Sequence, residues 1–372
     1  MVAHGVRLLH GGDCFSQAEL AGIRNFLVLQ YESPLGSIVH ATPLFEALKR
    51  ALPDCYITVA ASTTAASVLH SSPYIDRCVV TPNPFEDFSG SVRAVRALLQ
   101  STRAGARCVI TTIGNQRTRL TFLSLLVGSA VRAGYTLAPE LYDAPLTFNP
   151  ERGQIEGNLD IARTLGHPVP FCEPRVFFLQ QDVAKAEQWL ASLATPTAPR
   201  IVFVTQNSGG QKNQWRPARF QQVISGLSSV TGAVPIFVGT EKDAVSIDAL
   251  RKDLTEKGIS LAGETTITEL AALLAQCDLI VSLDTGTFHV ARAVGVPGVV
   301  IAPAWQSPLE WLPVQSERYR VLRGPSIRDI PVDYCIDEIS VEQVCASAQT
   351  LLAKYPADPM QRASRAARSS RG

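Results

Sequence analysis

The sequence predicts an α/β protein made of two doubly wound parallel sheets. Three observations carry that prediction. Short β-branched runs alternate with segments of helical spacing, the pattern of βαβ units. The alternation runs twice, with a proline-rich stretch between the two series. The chain has 372 residues, which at roughly 150 residues per domain makes two domains.

The elements follow in order. Residues 1–25 show no period and read as a flexible arm. A strand at 26–30 (FLVLQ) leads through the turn-rich YESPLGS into a helix over 38–51. Strands follow at 56–61, 77–81 and 107–112, with helical spacing at 92–99 and again from residue 118. Residues 26–170 therefore form an N-terminal Rossmann-like domain. The rhythm weakens between 135 and 200, where eight prolines fall, and 171–199 reads as a linker with a helix over 182–193. The second series gives strands at 201–206, 235–238, 259–262, 278–283 and 297–302. Its helices span 217–227, 243–257, 267–275 and 341–353; Pro217 suits a first helical turn, and Thr266 with Glu269 forms a capping box. Residues 200–354 make the C-terminal domain. The serine- and arginine-rich stretch 355–372 reads as a disordered basic tail.

Composition narrows the function. Hydrophobic residues make up 46% and charged residues 18%, which excludes wholesale disorder. Lys plus Arg is 34 and Asp plus Glu is 33, a net +1. That balance argues against a nucleic-acid binder but leaves room for a local cationic pocket. Mean hydropathy is +0.11. The longest apolar run, 120–131 between Arg119 and Arg132, is too short to span a bilayer and reads as a buried helix. The first twenty residues have no signal-peptide core. The expectation is a cytoplasmic protein, apolar enough for peripheral contact with the cytoplasmic face of the inner membrane. The eight cysteines contain no CxxC pair and read as reduced core residues.

No GxGxxG follows the first strand, and no GxxxxGK[ST], GxSxG or HExxH occurs. Dinucleotide, P-loop, hydrolase-elbow and zincin chemistries are disfavoured. What stands out is the turn after strand 278–283: Asp284, Thr285, Gly286, Thr287, Phe288, His289. A small-residue turn into a helix leaves backbone N–H groups facing outward, an anion site. The two threonines add hydroxyls, Gly286 allows close approach, and His289 falls in the first turn. A capped turn with a packed histidine is an equal reading of the same residues. The turn after the first strand places Ser33, Gly36 and Ser37 at the start of a helix.

Two stretches carry a family resemblance. FLVLQYESPLGSIVHATPLFEALKRALPDCYITVAA and LAGETTITELAALLAQCDLIVSLDTGTFHVARAVGVPGVVIAPA resemble the N- and C-terminal signatures of glycosyltransferase family 9, the lipopolysaccharide heptosyltransferases. The resemblance implies the GT-B architecture, two Rossmann-like domains facing a cleft. It implies inverting, metal-independent transfer of a sugar from a nucleotide donor, typically ADP-heptose, to a saccharide or glycolipid acceptor, with no cofactor. The donor would sit mainly on the C-terminal half and the acceptor on the N-terminal half.

Such a reaction needs a base for the acceptor hydroxyl and stabilisation of the departing diphosphate. The Asp284–His289 turn answers the second need. The family's loop cation maps to Lys212, three residues before Trp215 rather than the commoner two, or to Arg216, which stands directly before Pro217. Glu241 is a donor-sugar or ribose candidate, with a surface carboxylate as the equal alternative. Where the family's S-x-x-G-D places its base, this chain has Ser37. An unassisted serine hydroxyl is a poor base at neutral pH. Glu32, in the same turn, is the preferred replacement and His40, one helical turn on, the second. The alternative reading is a non-catalytic GT-B module that binds a nucleotide sugar; a sugar-nucleotide epimerase is a third.

Overall fold

The computed structural model describes residues 15–32, 34–101, 107–128, 131–193, 197–207 and 212–371. They form two compact units, 1–174 and 175–372. Each holds one six-stranded parallel sheet.

In the first unit the strands are β1 (Asn25–Gln30), β2 (Tyr56–Ala61), β3 (Arg77–Val80), β4 (Arg107–Thr111), β5 (Val131–Tyr135) and β6 (Ala144–Leu146). Their order is β3-β2-β1-β4-β5-β6, so the direction of winding reverses between β1 and β4. Every residue of β1 is buried, as expected for a central strand covered on both faces. Leu27, Leu29 and Val109 on one face pack with Val95 and Leu98 of helix 88–100 and Leu120 and Leu123 of helix 118–126. Helix α1 (Leu35–Ala51) follows β1 and packs against α2 (Gln154–Thr164). Pro43 inside α1 cannot donate to Val39 O; the Thr42 hydroxyl does so instead, at 2.8 Å.

In the second unit the sheet holds β8 (Arg200–Val204), β9 (Val234–Phe237), β10 (Ile259–Ser260), β11 (Leu279–Leu283), β12 (Gly298–Ala302) and β13 (Tyr319–Arg323). The order β10-β9-β8-β11-β12-β13 repeats the first topology, with the reversal between β8 and β11. Ile201, Phe203, Leu279, Val281, Val299 and Ile301 build the core with the helices Pro217–Thr231 and Val341–Lys354. A two-residue strand, β7 (Phe178–Leu179), pairs in parallel with β14 (Ser370–Arg371).

Four expectations are corrected. Part of the arm expected to be flexible folds: Gln17–Ala21 is a helix closed by a Ser16–Glu19 capping box, with Leu20 and Ile23 buried. Residues 1–14 lie outside the described residues. The stretch read as irregular between 135 and 200 contains α2; the helix expected in the linker is present as Gln180–Ala191 and packs on the helix Ile267–Ala275 through Lys185 and Glu269, 2.8 Å apart. The apolar run 120–131 is not one buried helix: the helix stops at Leu126, Phe122 and Leu126 are exposed, and Val131 opens a strand. The tail expected to be disordered is the helix Pro359–Ser369, capped by Asp358. Its arginines explain the difference. Arg365 donates to the carbonyls of Ala275 and Cys277 at a helix C-terminus, where cations are favoured, and Arg362 pairs with buried Asp278.

Among the described residues no helix is long and apolar enough to cross a membrane. All seven cysteines described are free thiols.

Candidate active site

Ligands in doubly wound sheets bind at the carboxyl ends of the strands, where the winding reverses. In the first unit that point lies between the ends of β1 and β4. Glu32 follows β1 and is 5% exposed. Its Oε1 accepts from Thr112 Oγ1 at 3.0 Å and from Asn115 Nδ2 at 3.1 Å. Both donors follow β4. Asn115 also donates to Thr112 Oγ1 at 2.7 Å and accepts from the Tyr31 N–H at 3.2 Å. Gly114 lies against the carboxyl group: a Cβ there would fall 2.3 Å from Glu32 Cδ. Burial pushes the Glu32 pKa up to about 7, against hydrogen bonding from Thr112, Ser37, Gly114 and Gln30 that pulls it down.

Ser37 thus joins Glu32 from the first turn of α1, where Gly36 is also buried. His40 lies one turn on, in the packing of α1 on α2, with its backbone oxygen accepting from Asn158 at 3.2 Å. Ser33 lies outside the described residues.

In the second unit the reversal lies between the ends of β8 and β11. Asp284 follows β11 and is buried. Its Oδ1 is 3.4 Å from His289 Nε2, and its backbone oxygen accepts from Asn213 Nδ2 at 2.9 Å. With the amide oriented so that each end finds a partner, Gln306 donates to Asp284 Oδ2 at 3.3 Å and accepts from Trp311 Nε1 at 3.0 Å. His289 is buried, with its ring 6.0 Å from that of Trp311. Thr285 precedes the helix Gly286–Ala293, but its side chain makes no capping bond; its hydroxyl is 3.4 Å from Ser282 Oγ. Gly286 and Thr287 are half-buried at the helix start. Of the two residues that could cap this turn, Asp284 and Thr285, Thr285 makes no capping bond, and His289 is buried.

The other candidates are placed differently. Glu241 is exposed, at the start of a 3-10 turn after β9. Gly263, at φ +80, approaches it so closely that a Cβ would lie 3.0 Å from Glu241 Cα. Lys212 donates from Nζ to Pro331 O at 2.8 Å. Arg216 is held by two hydrogen bonds to Asp337, at 2.7 and 2.6 Å.

Residues 141–321 match the model of glycosyltransferase family 9 (heptosyltransferase). Structural likeness extends over both units: the family 9 glycosyltransferase of Veillonella parvula superposes with a TM-score of 0.77 at 21% identity, covering 88% of this chain and 97% of that one. Over residues 141–321 the chain is similar to glycosyltransferase family 9. The Escherichia coli ADP-heptose lps heptosyltransferase II shares the fold at a TM-score of 0.70 and 20% identity, over 88% of this chain and 98% of that one. The Haemophilus ducreyi lipooligosaccharide heptosyltransferase 2 is 27% identical over 158 residues, 41% of this chain and 44% of that protein. The fold is GT-B, with two Rossmann-like sheets, as the resemblance implied.

The span matched to family 9 holds Lys212, Arg216, Glu241 and the Asp284–His289 turn, but not the Glu32–Ser37 turn. Sequence reasoning missed Thr112, Gly114, Asn115, Asn213, Gln306 and Trp311 as partners of the candidate residues. A signal existed for three of them. In a sheet that reverses between its first and fourth strands, the loop after the fourth faces the loop after the first, and TTIGNQ occupies that loop.

Proposed function

We propose that this glycosyltransferase moves heptose from an ADP-heptose donor to a hydroxyl of a cell-envelope saccharide or glycolipid, inverting the anomeric centre without a metal or other cofactor. The heptosyltransferase description of the matched family supports the sugar, and the Escherichia coli relative named for ADP-heptose supports the donor. The acceptor hydroxyl gives its proton to Glu32 as its oxygen attacks the anomeric carbon. The bond from that carbon to the diphosphate breaks, and ADP leaves with the bonding electrons. The open N-terminus of the helix Gly286–Ala293, with Thr285 and Thr287, receives the diphosphate. Lys212 is the cation assigned to the diphosphate, because it is held by a neutral carbonyl, that of Pro331, whereas Arg216 is paired with the carboxylate of Asp337. A lipid-linked acceptor places the enzyme in the cytoplasm, in peripheral contact with the inner membrane.

One observation carries the choice of a transferase over a binding module. Glu32 is a buried carboxyl with its pKa at about 7, in the turn where the family's base belongs, and a general base works best when its pKa lies near the working pH. The test is ADP release by the purified chain from ADP-heptose with a lipopolysaccharide-core acceptor. Glu32→Gln is expected to lower kcat by about a hundredfold or more with donor affinity unchanged. Full activity in Glu32→Gln removes Glu32 from the mechanism; ADP-heptose binding without turnover in the native chain establishes the binding module instead.

A further inference from the structure

Glu32 presents two unlike oxygens. Oε1 takes the hydrogen bonds from Thr112 and Asn115. Oε2 is buried without a hydrogen bond of good geometry. Asn115 is itself fixed at both ends of its amide, by the Tyr31 N–H and by Thr112 Oγ1. The two donors and the space left by Gly114 come from one loop, and the carboxyl group from the loop opposite.

We propose that Thr112 and Asn115 are positioning residues that hold the Glu32 carboxylate by Oε1 in one working orientation and favour its ionised form. This rests on Glu32 being the base. The two residues act through Glu32 rather than on the sugar. Both donate to the carboxylate, so both favour its charged form against burial. Burial acts most strongly on Glu32, and the groups that oppose it are neutral: Thr112, Ser37, Gly114 and Gln30. The titratable neighbours along its own chain are Tyr31, whose hydroxyl is 2.5 Å from Thr81 Oγ1, and His40 in α1. On the β2 side, Ser62 Oγ donates to the Glu32 backbone oxygen at 3.3 Å. Without either donor the carboxyl should hold its proton to higher pH, and the base should be ionised less often near neutrality.

The experiment is a carbon-13 NMR titration of the full chain labelled at glutamate side-chain carboxyls, with Glu32→Gln to assign the signal. The native signal should titrate near pH 7. In Thr112→Val and in Asn115→Ala the midpoint should rise by about one pH unit, and Thr112→Ser, which keeps the hydroxyl, should restore it. The acid limb of ADP release should move with the midpoint while KM for the donor stays put. An unmoved midpoint in both variants overturns the positioning role and leaves Glu32 as base. A native Glu32 that titrates in the ordinary carboxylate range overturns the poised base itself.

Discussion

Arg362 grips Asp278 at two points inside the second unit: Nε lies 2.9 Å from Oδ1 and Nη2 lies 2.5 Å from Oδ2, with the two residues 4% and 3% exposed. Asp278 also accepts from the Arg200 N–H at 2.8 Å, so the C-terminal helix is tied to the starts of β8 and β11. Removing one partner of a buried pair strands the other charge. Arg362→Ala should lower stability by about 3–5 kcal/mol, read from urea unfolding followed by circular dichroism. A loss below about 1 kcal/mol, the scale of a solvent-exposed pair, would show that the helix does not dock in solution.

That pair also shows where the sequence was hard to read. The alternation of β-branched runs and helical segments placed nine of the twelve sheet strands, because buried parallel strands must be continuously apolar. The tail gave no such signal. Its helix is held by arginines reaching carbonyls and a carboxylate far away in the chain, and only tertiary contact reveals that. At the candidate site, the Asp284–His289 turn and Glu32 were legible as polar residues at strand ends. Lys212 and Arg216 were legible as cations, but their engagement with Pro331 and Asp337 was not. Thr112 and Asn115 carry no charge, and their importance depends on which strands are neighbours.

The raised Glu32 pKa has a cost in stability with a definite sign. Its ordinary value is 4.5 and its folded value about 7, so between those pH values the folded state keeps a proton that the unfolded state has lost. Stability therefore falls as pH rises across that window and levels off above it, by about 3 kcal/mol in all. Glu32→Gln escapes this term. It should be more stable than the native chain at pH 8, with the advantage shrinking toward pH 5, when urea midpoints are compared at each pH. An equal advantage at both pH values would refute the shift.

Gly114 is required by the Glu32 carboxyl rather than by its own backbone. A Cβ at this position meets Glu32 Cδ at 2.3 Å and both carboxyl oxygens at 2.5 and 2.6 Å. Gly114→Ala must displace the carboxyl or the loop that holds it. Small displacements of a catalytic group are costly. The variant should fold, keep its KM for ADP-heptose and lose at least about tenfold in kcat. An unchanged kcat would mean that Glu32 has no fixed working position.

Asp284 and Arg216 make opposite predictions for nucleotide binding. Asp284 is buried and touches three parts of its loop cluster through His289, Asn213 and Gln306; its loss frees the turn that opens the helix Gly286–Ala293. Asp284→Ala should weaken ADP binding at least tenfold, about 1.4 kcal/mol, by calorimetry. Arg216 points to the surface, where Asp337 holds its Nε and Nη2, so Arg216→Ala should change ADP affinity less than twofold. Asp337→Ala supplies the control. If Arg216 can serve the diphosphate, releasing it should tighten ADP binding, and a larger loss in Arg216→Ala than in Asp284→Ala would show that the guanidinium leaves Asp337 for the donor.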